Sequence, residues 1–470
     1  MKRRLRVYKK TVSIVNETAI GMYESLVGNK KGFLLESYDK NYDRYTFFGK
    51  EPEEIITSRG DALVIRQNNG TEEIRKGNPL ERLKEYYSEF DIVKENEELS
   101  FSGGLVGNLG YDFVRYAEVL PDNNPDEIGI ETIQMMLMTK FILVDHVAET
   151  LTAVILGEDS EDGKKKALAE AAELIEEARK NAGQIPDRNF THDGVIVNQS
   201  DTLEQYCKKV EKIKQYIREG HIFQTVLSQR WTIETKQTGF ELYKELRELN
   251  PSPYLYYFNY GDFEVIGSSP EMIVKQQGSR VYTCPIAGTR RRGVDAEEDA
   301  LLRDELLRDE KERAEHVMLV DLARNDMGRI SEFGTVKVTQ FMEVQNYSHV
   351  MHIVSMVEGK KKGEFHPLDL VSSFLPAGTL SGAPKIRAME IIDELESVRR
   401  GLYGGATGYI DFSGDMDFCI TIRTMIKKKN RVYLQAGAGI VADSVPENEY
   451  QECCNKVMAL AKTLIEEENL

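Results

Sequence analysis

The sequence predicts an α+β fold, in which strands and helices occur without a regular alternation. The 470 residues are 41% hydrophobic and 30% charged, a composition typical of a globular protein with a sizeable core. Short strand-like runs and turn signals dominate the first third of the chain, and helices are scarce there. Later strands mix with separate helices, which favours α+β over a sheet built from repeated strand-helix units.

Strand signals in the first third include Gly32–Ser37 and Ile133–Met138, which are short apolar runs near turn residues. The composition then becomes charged and rich in alanine, and the run Lys164–Ile175 is intrinsically helical. We therefore predict three units, which are residues 1–156, a helical connector at 157–199, and a second domain at 200–470.

The second domain opens with a predicted helix. Asp201 followed by Glu204 has the spacing of a capping box, and apolar residues then recur at helical spacing until Gly220. Further helices are predicted at 296–320, 385–395 and 446–468, and further strands at 254–258 and 408–412.

The charge balance and the lack of targeting signals limit the class of protein. The net charge of −17, from 61 basic and 78 acidic side chains, argues against a nucleic-acid partner. No apolar run is long enough to span a membrane, and the basic N-terminus lacks the apolar segment of a signal peptide. We therefore expect a cytoplasmic protein without a membrane partner. The five cysteines form no CxxC pair and are expected to be reduced and structural.

Two glycine-rich stretches raise the question of cofactor binding. The run Gly437–Ala442 has the spacing of a dinucleotide fingerprint, but the next predicted helix begins too late and too little chain follows. The run Gly378–Lys385 lacks the Gly-Lys-Ser/Thr ending of a phosphate loop, although backbone N–H groups before a helix suit a carboxylate. The sequence therefore argues against a nicotinamide or flavin cofactor.

Two predicted helices carry closely spaced glutamates. Glu312 and Glu315 lie on one helical face, and Glu449 and Glu452 have the same spacing on the last helix. Solvated carboxylate faces are the commoner explanation of such pairs. If the pairs face inward instead, hard oxygen ligands from two helices suit one Mg²⁺ that admits an anionic substrate.

Two histidines, His349 and His352, lie in an apolar run and fall on opposite faces if the segment is a strand. A lone histidine in such a run is more often a core residue than a general base. At most one of the two is therefore expected to be catalytic.

Four blocks occur in order along the second domain, and they are Pro285–Arg290, Leu319–Asp326, Gly378–Lys385 and Gln435–Ser444. Together they resemble the chorismate-utilising enzyme family, and within it the anthranilate synthases. The resemblance implies two large packed β-sheets with surrounding helices and one chorismate site between them. It also implies a Mg²⁺-dependent carbon-oxygen lyase of tryptophan biosynthesis, which converts chorismate and ammonia into anthranilate and pyruvate.

The resemblance implies roles for individual residues. Glu271 matches the family's proton donor and His352 the position linked to the final elimination, whereas His349 is left as structural. Glu315 and Glu452 match direct Mg²⁺ ligands, with Glu312 and Glu449 supporting them. The implied substrate contacts are Thr379, Tyr403, Arg423, Gly437, Gly439, Lys456, Ala287, Gly288 and Thr289.

Two positions discriminate among members of the family. Gln224 stands where water-using isochorismate and salicylate enzymes carry a lysine, which favours ammonia as the nucleophile. Ala287 stands where many aminodeoxychorismate synthases carry a lysine, and a methyl group cannot act as a nucleophile. An aminodeoxychorismate synthase component I of the folate and 4-aminobenzoate pathway is the alternative. A non-catalytic chorismate or tryptophan sensor on the same fold is a further one.

The resemblance also implies a tryptophan feedback site that includes part of the first domain. There, strand-edge polar groups would bind the amino acid while apolar walls bury its indole. Its residues are Leu35, Glu36, Ser37, Asn250, Pro251, Ser252, Pro253 and Tyr254. No cysteine lies in the Gly-x-Cys-x-Gly elbow of a glutamine-hydrolysing module. A separate glutamine amidotransferase subunit is therefore expected to supply ammonia, with free ammonia as the alternative donor.

Overall fold

The structure is a computed structural model that describes residues 2–37, 44–94, 99–183, 190–347 and 350–466. Within these ranges, two large sheets of 13 and 12 strands are flanked by ten α-helices. The predicted α+β fold with two large packed sheets is thus confirmed. In the same ranges, no helix is both long and apolar enough to cross a membrane.

The strands are β1 (Arg3–Ser13), β2 (Gly32–Glu36), β3 (Tyr45–Lys50), β4 (Glu54–Arg59), β5 (Ala62–Gln67), β6 (Glu72–Lys76), β7 (Phe90–Val93), β8 (Gly104–Leu109), β9 (Ile133–Met138), β10 (Lys140–Asp145), β11 (Thr150–Glu158), β12 (Val195–Gln199), β13 (Gln224–Glu234), β14 (Tyr254–Asn259), β15 (Glu264–Ser269), β16 (Met272–Gln277), β17 (Arg280–Thr283), β18 (Ile286–Arg291), β19 (Lys337–Asn346), β20 (Val350–Lys360), β21 (Gly382–Ala383), β22 (Ala406–Asp411), β23 (Met416–Ile420), β24 (Thr424–Lys428) and β25 (Arg431–Ile440). The helices are α1 (Ala19–Leu26), α2 (Pro79–Tyr87), α3 (Glu161–Arg179), α4 (Leu203–Arg218), α5 (Gly239–Leu249), α6 (Ala296–Arg308), α7 (Glu310–Ile330), α8 (Pro367–Phe374), α9 (Lys385–Leu395) and α10 (Pro446–Ala461).

Both sheets combine strands from the first third and from the second half of the chain. The first sheet has the order β12-β13-β25-β24-β15-β14-β2-β3-β10-β11-β1-β7, with β21 beside β13. The second has the order β18-β20-β17-β16-β23-β22-β8-β9-β4-β5-β6, with β19 beside β20. The two halves meet at β2–β14 in one sheet and at β8–β22 in the other. The division at residues 156 and 199 stays a prediction.

A core of large side chains lies between the facing sheets. Phe33, Phe141 and Phe258 from the first sheet pack with Val106 and Met136 from the second, and all five are fully buried. Helix α3, predicted as part of the connector, packs its buried alanines and leucine against the outer side of the first sheet. The sheets therefore have covered apolar faces, which fixes the register of their strands.

Three predicted helix boundaries are corrected by local hydrogen bonds. Helix α4 is capped by Thr202 and Gln205 rather than by the Asp201 pair. The predicted helix 296–320 is two helices, because the Asp309 carboxylate accepts the backbone N–H groups of Lys311 and Glu312 and starts α7 there. The last helix ends at Ala461 rather than at residue 468. The break at Asp309 places Glu312 and Glu315 in the first two turns of α7.

Candidate active site

Arg423 lies at the centre of the predicted site. Its guanidinium interacts electrostatically with four side chains from separate elements. They are Tyr403 from the turn before β22, Glu452 from α10, Glu271 from the connection between β15 and β16, and His352 from β20. Its backbone has the positive φ of 50°, an uncommon conformation for a non-glycine residue. No hydrogen bond within the described residues involves this guanidinium, and burial lowers its pKa. An unpaired buried cation of this kind suits a substrate carboxylate.

A second cation, Lys456 on α10, lies beside the bare backbone of β25. Its Nζ donates to the carbonyl oxygen of Gly437 at 2.9 Å and to Glu452 Oε1 at 2.6 Å. A Cβ atom at Gly437 would lie only 3.0 Å from the Tyr403 hydroxyl and 2.8 Å from Val226 Cγ1. Glycine at this position therefore lets the Tyr403 hydroxyl approach the strand. The glycines of this run belong to a paired strand, as expected if they form no dinucleotide loop.

Glu271 has the environment of a general acid. It sits between β15 and β16, where its carbonyl oxygen accepts the Ile420 N–H at 2.9 Å. The Thr379 hydroxyl donates to Glu271 Oε1 at 3.0 Å. Burial raises the pKa of Glu271 to about 7, against the opposing effects of Thr379, Lys456 and Arg423. A carboxyl group with this pKa is partly protonated at neutral pH and can donate a proton.

His352 is held as a neutral base by its neighbours on β18. Its Nδ1 lies 3.0 Å from the Gly288 carbonyl oxygen and 3.1 Å from Thr289 Oγ1. The carbonyl can only accept, so we assign the proton to Nδ1 and the lone pair to Nε2. Burial lowers the pKa of His352, which keeps the ring neutral. His349, which was predicted to be structural, lies outside the described residues.

A bulge in the β18–β20 pairing creates this contact. The register shifts between Ala287 and Thr289, and Gly288 has a φ of 68° at that point. A residue with a side chain would be strained there. Ala287 pairs with Ile353 just before the bulge. A methyl group therefore stands at the position that is predicted to discriminate among members of the family.

Gln224 lies at the start of β13, and its side chain reaches Gly439, the second glycine of β25. It is 6% exposed, and a Cβ atom at Gly439 would lie 2.7 Å from its Nε2. The amide of Gln224 therefore lies over bare backbone. It supplies a neutral donor and acceptor to the site, and no positive charge.

The four predicted metal ligands lie on α7 and α10 and interact with one another. Burial raises the pKa of Glu315, and the charges of Glu312 and Glu452 raise it further. Burial also raises the pKa of Glu449. These carboxylates are the hard oxygen donors that Mg²⁺ prefers, so the donor set fits that ion. Among the residues that the structure describes, no three acidic, histidine or cysteine side chains are close enough to hold a metal ion. Their role as ligands stays a prediction.

The predicted tryptophan residues lead to a cavity of about 170 Å³ between the sheets, called here the inter-sheet pocket. Leu35, Glu36, Ser37, Pro253 and Tyr254 are among its lining residues. The buried Ser37 Oγ has no hydrogen-bond partner among the described residues. Ser100 Oγ, on another lining residue, is also buried without a hydrogen-bond partner there, so the pocket offers two unsatisfied hydroxyl groups inside a largely apolar wall.

Three residues of the predicted tryptophan set, Glu36, Asn250 and Ser252, make hydrogen bonds elsewhere. The Glu36 carboxylate accepts from the Tyr243 hydroxyl at 2.5 Å and from Arg247 Nε at 2.8 Å. Asn250 donates to a backbone carbonyl of α10, and Ser252 to the Ser269 carbonyl. Asn250, Pro251 and Ser252 are not among the lining residues of the pocket within the described part of the chain.

Sequence reasoning missed the other half of the inter-sheet pocket. This half comes from strands that the pairing β16–β23–β22 brings to the pocket, and no local motif signals it. The missed lining residues include Met272, Cys284, Tyr409, Asp417 and Cys419.

The chain is similar to known proteins over most of its length. Residues 33–462 match the family model described as chorismate binding enzyme. The anthranilate synthase component 1 of Acetivibrio thermocellus is 46% identical over 461 residues, which cover 96% of this chain and 93% of that protein. The crystal structure of anthranilate synthase component I from Streptococcus pneumoniae TIGR4 has a TM-score of 0.78 and 39% identity, with 89% of this chain and 92% of that chain covered. The menaquinone-specific isochorismate synthase from Escherichia coli is 18% identical with a TM-score of 0.74, covering 98% of this chain and 94% of that chain, and shares the fold.

Proposed function

The chain belongs to the chorismate binding enzyme family and, within it, to the anthranilate synthase component 1 group, and we propose that its site converts chorismate and ammonia into anthranilate and pyruvate. The observation that carries the mechanism is the placement of Glu271 and His352 around the unpaired Arg423 guanidinium. One is a buried carboxyl group and the other a neutral imidazole. The two groups supply the acid and the base that a two-step reaction requires.

In the first step, the ring C–O bond of chorismate breaks and a C–N bond to ammonia forms two ring positions away. Glu271 gives its proton to the departing hydroxyl, which leaves as water. The added nitrogen then loses a proton and becomes an amine, so the protons balance. The Thr379 hydroxyl, 3.0 Å from Glu271 Oε1, fixes the direction in which the carboxyl group points.

In the second step, the ring becomes aromatic. His352 Nε2 takes the ring proton, the bond between the ring carbon and the ether oxygen breaks, and the released enolate takes up a proton at its carbon to give pyruvate. The Gly288 carbonyl, 3.0 Å from Nδ1, keeps the Nε2 lone pair available for this transfer. Acid and base therefore act in different steps.

The substrate is an anion, and the site places both cations and carboxylates around it. Arg423 and Lys456 are suited to its carboxylate groups. Like charges about 4 Å apart repel by about 4 kcal/mol at an effective dielectric constant near 20, so the four glutamates oppose binding on their own. Mg²⁺ held by Glu315 and Glu452, with Glu312 and Glu449 in support, would supply the positive charge that removes this repulsion.

The nitrogen donor is the second part of the proposal. The relatives carry the name component 1, which implies a partner component. We assign that partner as a glutamine amidotransferase that releases ammonia near the site. Gln224 supports ammonia over water as the nucleophile, because its amide has no basic amine that could take a proton from water, as the lysine of the water-using enzymes is expected to do.

The test is a product analysis. The purified chain is incubated with chorismate, Mg²⁺ and ammonium, and products are separated by chromatography. The proposal predicts anthranilate and pyruvate in equal amounts. Accumulation of aminodeoxychorismate would support the rival function in folate synthesis, and an absence of turnover would support the sensor.

A regulatory proposal concerns the inter-sheet pocket, which we assign to tryptophan as a feedback effector. Its apolar walls suit an indole, and the unpartnered Ser37 Oγ supports a polar ligand there. Ser37→Phe fills the pocket and is expected to abolish tryptophan binding and inhibition. Ser88→Phe, at the exposed end of α2, is the control and should remain inhibited. Unchanged inhibition of Ser37→Phe would contradict this assignment.

A further inference from the structure

Glu271 has a separate cavity on the side that faces α7. This second cavity, of about 40 Å³, reaches Glu271 and Thr379 and is called here the acid cavity. Apolar residues of α7, of the end of α8 and of the segment after it form much of the remaining wall, with Leu322, Phe374 and Ala377 among them. The catalytic acid therefore borders a space that a neighbouring side chain can enter.

The acid cavity and the inter-sheet pocket share two lining residues, Met272 and Cys284. These two residues therefore border both spaces. The residue on the other side of Glu271, Pro270, also lines the inter-sheet pocket. A ligand in that pocket would therefore contact both chain neighbours of the acid.

We propose that Met272 and Cys284 are positioning residues that transmit occupancy of the inter-sheet pocket to Glu271. This inference rests on the proposed assignment of that pocket to tryptophan. Protein interiors are close-packed, so a ligand that fills the pocket displaces the shared wall toward the acid cavity. A displaced wall would disturb the contact between Glu271 and Thr379, and misplacement of a catalytic group by about 1 Å can cost about 100-fold in rate.

Met272 is suited to this movement. It is the first residue of β16, and the register on β23 shifts between Met272 and Val274. Its unbranched thioether adapts easily to a changed cavity. By contrast, the Glu271 carbonyl oxygen is anchored by the Ile420 N–H at 2.9 Å, so the wall has more freedom than the backbone that carries the acid.

The test compares two methionines. Met356 lines the inter-sheet pocket but is not among the lining residues of the acid cavity in the described chain, so it is the matched control for Met272. Tryptophan binding is measured by calorimetry, and the rate at saturating tryptophan is divided by the rate without it. We expect saturating tryptophan to lower the rate about tenfold in the wild type and in Met356→Ala, within the usual range of coupling. In Met272→Ala it should lower the rate less than about twofold, although tryptophan still binds.

Two further variants separate coupling from general damage. Cys284→Ala opens the wall from its other side and is expected to lose inhibition as Met272→Ala does. Met272→Leu restores the volume of the wall and should restore inhibition. If Met272→Ala does not fold, Cys284→Ala decides the outcome.

Wild-type inhibition in variants that open the wall would overturn the inference. So would tryptophan that binds the wild type without slowing it. A wild-type chain that binds no tryptophan overturns the effector proposal and this inference with it, and the calorimetry distinguishes that result from failure of the wall alone.

Discussion

Glu271→Gln is expected to remove most of the activity and, at alkaline pH, to stabilise the folded chain. Glutamine has nearly the shape of glutamate and can still accept the Thr379 hydroxyl, but it cannot deliver a proton. The loss of a general acid typically costs about 100-fold to 10,000-fold in rate. The gain in stability arises because the variant carries no charge at a buried position.

The size of this gain follows from the pKa of Glu271. Burial raises the pKa from its ordinary value of 4.5 to about 7. Because the pKa of Glu271 is higher in the folded chain, the contribution of its neutral carboxyl group to the free energy of unfolding is fully present below pH 4.5. That contribution is lost as the pH rises through about 7. At about 1.4 kcal/mol for each pH unit between these values, the ionised carboxylate costs the wild type about 3 kcal/mol at pH 8.

The assay is unfolding of the wild type and the variant, at pH 5 and at pH 8. The variant should match the wild type at pH 5 and exceed it at pH 8. Glu173→Gln, on the exposed face of α3, is the control and should show no such change with pH. A Glu271→Gln chain that gains no stability relative to the wild type between these pH values, or that turns over at the wild-type rate, would refute the assignment of Glu271 as a buried acid.

Three further predictions concern the metal, the buried ion pair and a close contact. Glu315→Gln should abolish turnover and also the increase in Tm that Mg²⁺ gives the wild type, whereas turnover in excess chelator would contradict the metal site. Glu396→Ala removes the partner of Arg400, a pair whose Oε1–Nη2 distance is 2.7 Å and whose side chains are 3% and 1% exposed. The free energy of unfolding, measured in urea, should fall by about 3–5 kcal/mol. Lys208→Ala, which breaks an exposed pair on α4, should cost less than about 1 kcal/mol, and equal losses would contradict the argument. Gly378→Ala would place a Cβ atom 1.9 Å from Leu322 Cδ2. This substitution should lower the free energy of unfolding by about 1–3 kcal/mol in the same assay, and adding Leu322→Ala should recover part of that loss. A double mutant no more stable than Gly378→Ala would contradict the clash.

Much of the fold could be predicted where the determining interactions are local. Strand β9 and helix α9 have the predicted bounds, because an apolar run or an amphipathic period marks each of them. The helix break at Asp309 was not predicted, since residues 308–313 are all charged and give no breaker signal, and only the Asp309 side-chain cap starts a new helix there. The wrong cap of α4 has a similar cause, because adjacent residues, Asp201 and Thr202, are both able to cap.

The geometry of the site depends on contacts between residues that are far apart in the sequence. The family resemblance pointed to Glu271 and His352, but neither the burial that raises the pKa of Glu271 nor the bulge that orients His352 could be read from spacing. The far wall of the inter-sheet pocket depends on strand pairing between distant segments. Such pairing is set by tertiary packing, which no short window of sequence records.

The most direct test of the mechanism is a comparison of the products of Glu271→Gln and His352→Met. Each chain is incubated with chorismate, Mg²⁺ and ammonium, and the mixture is analysed by chromatography. If the two residues serve separate steps, His352→Met accumulates the aminated intermediate, which the wild type then converts to anthranilate, and Glu271→Gln leaves chorismate unchanged. Normal anthranilate from His352→Met, or the intermediate formed by Glu271→Gln at the wild-type rate, would contradict the account.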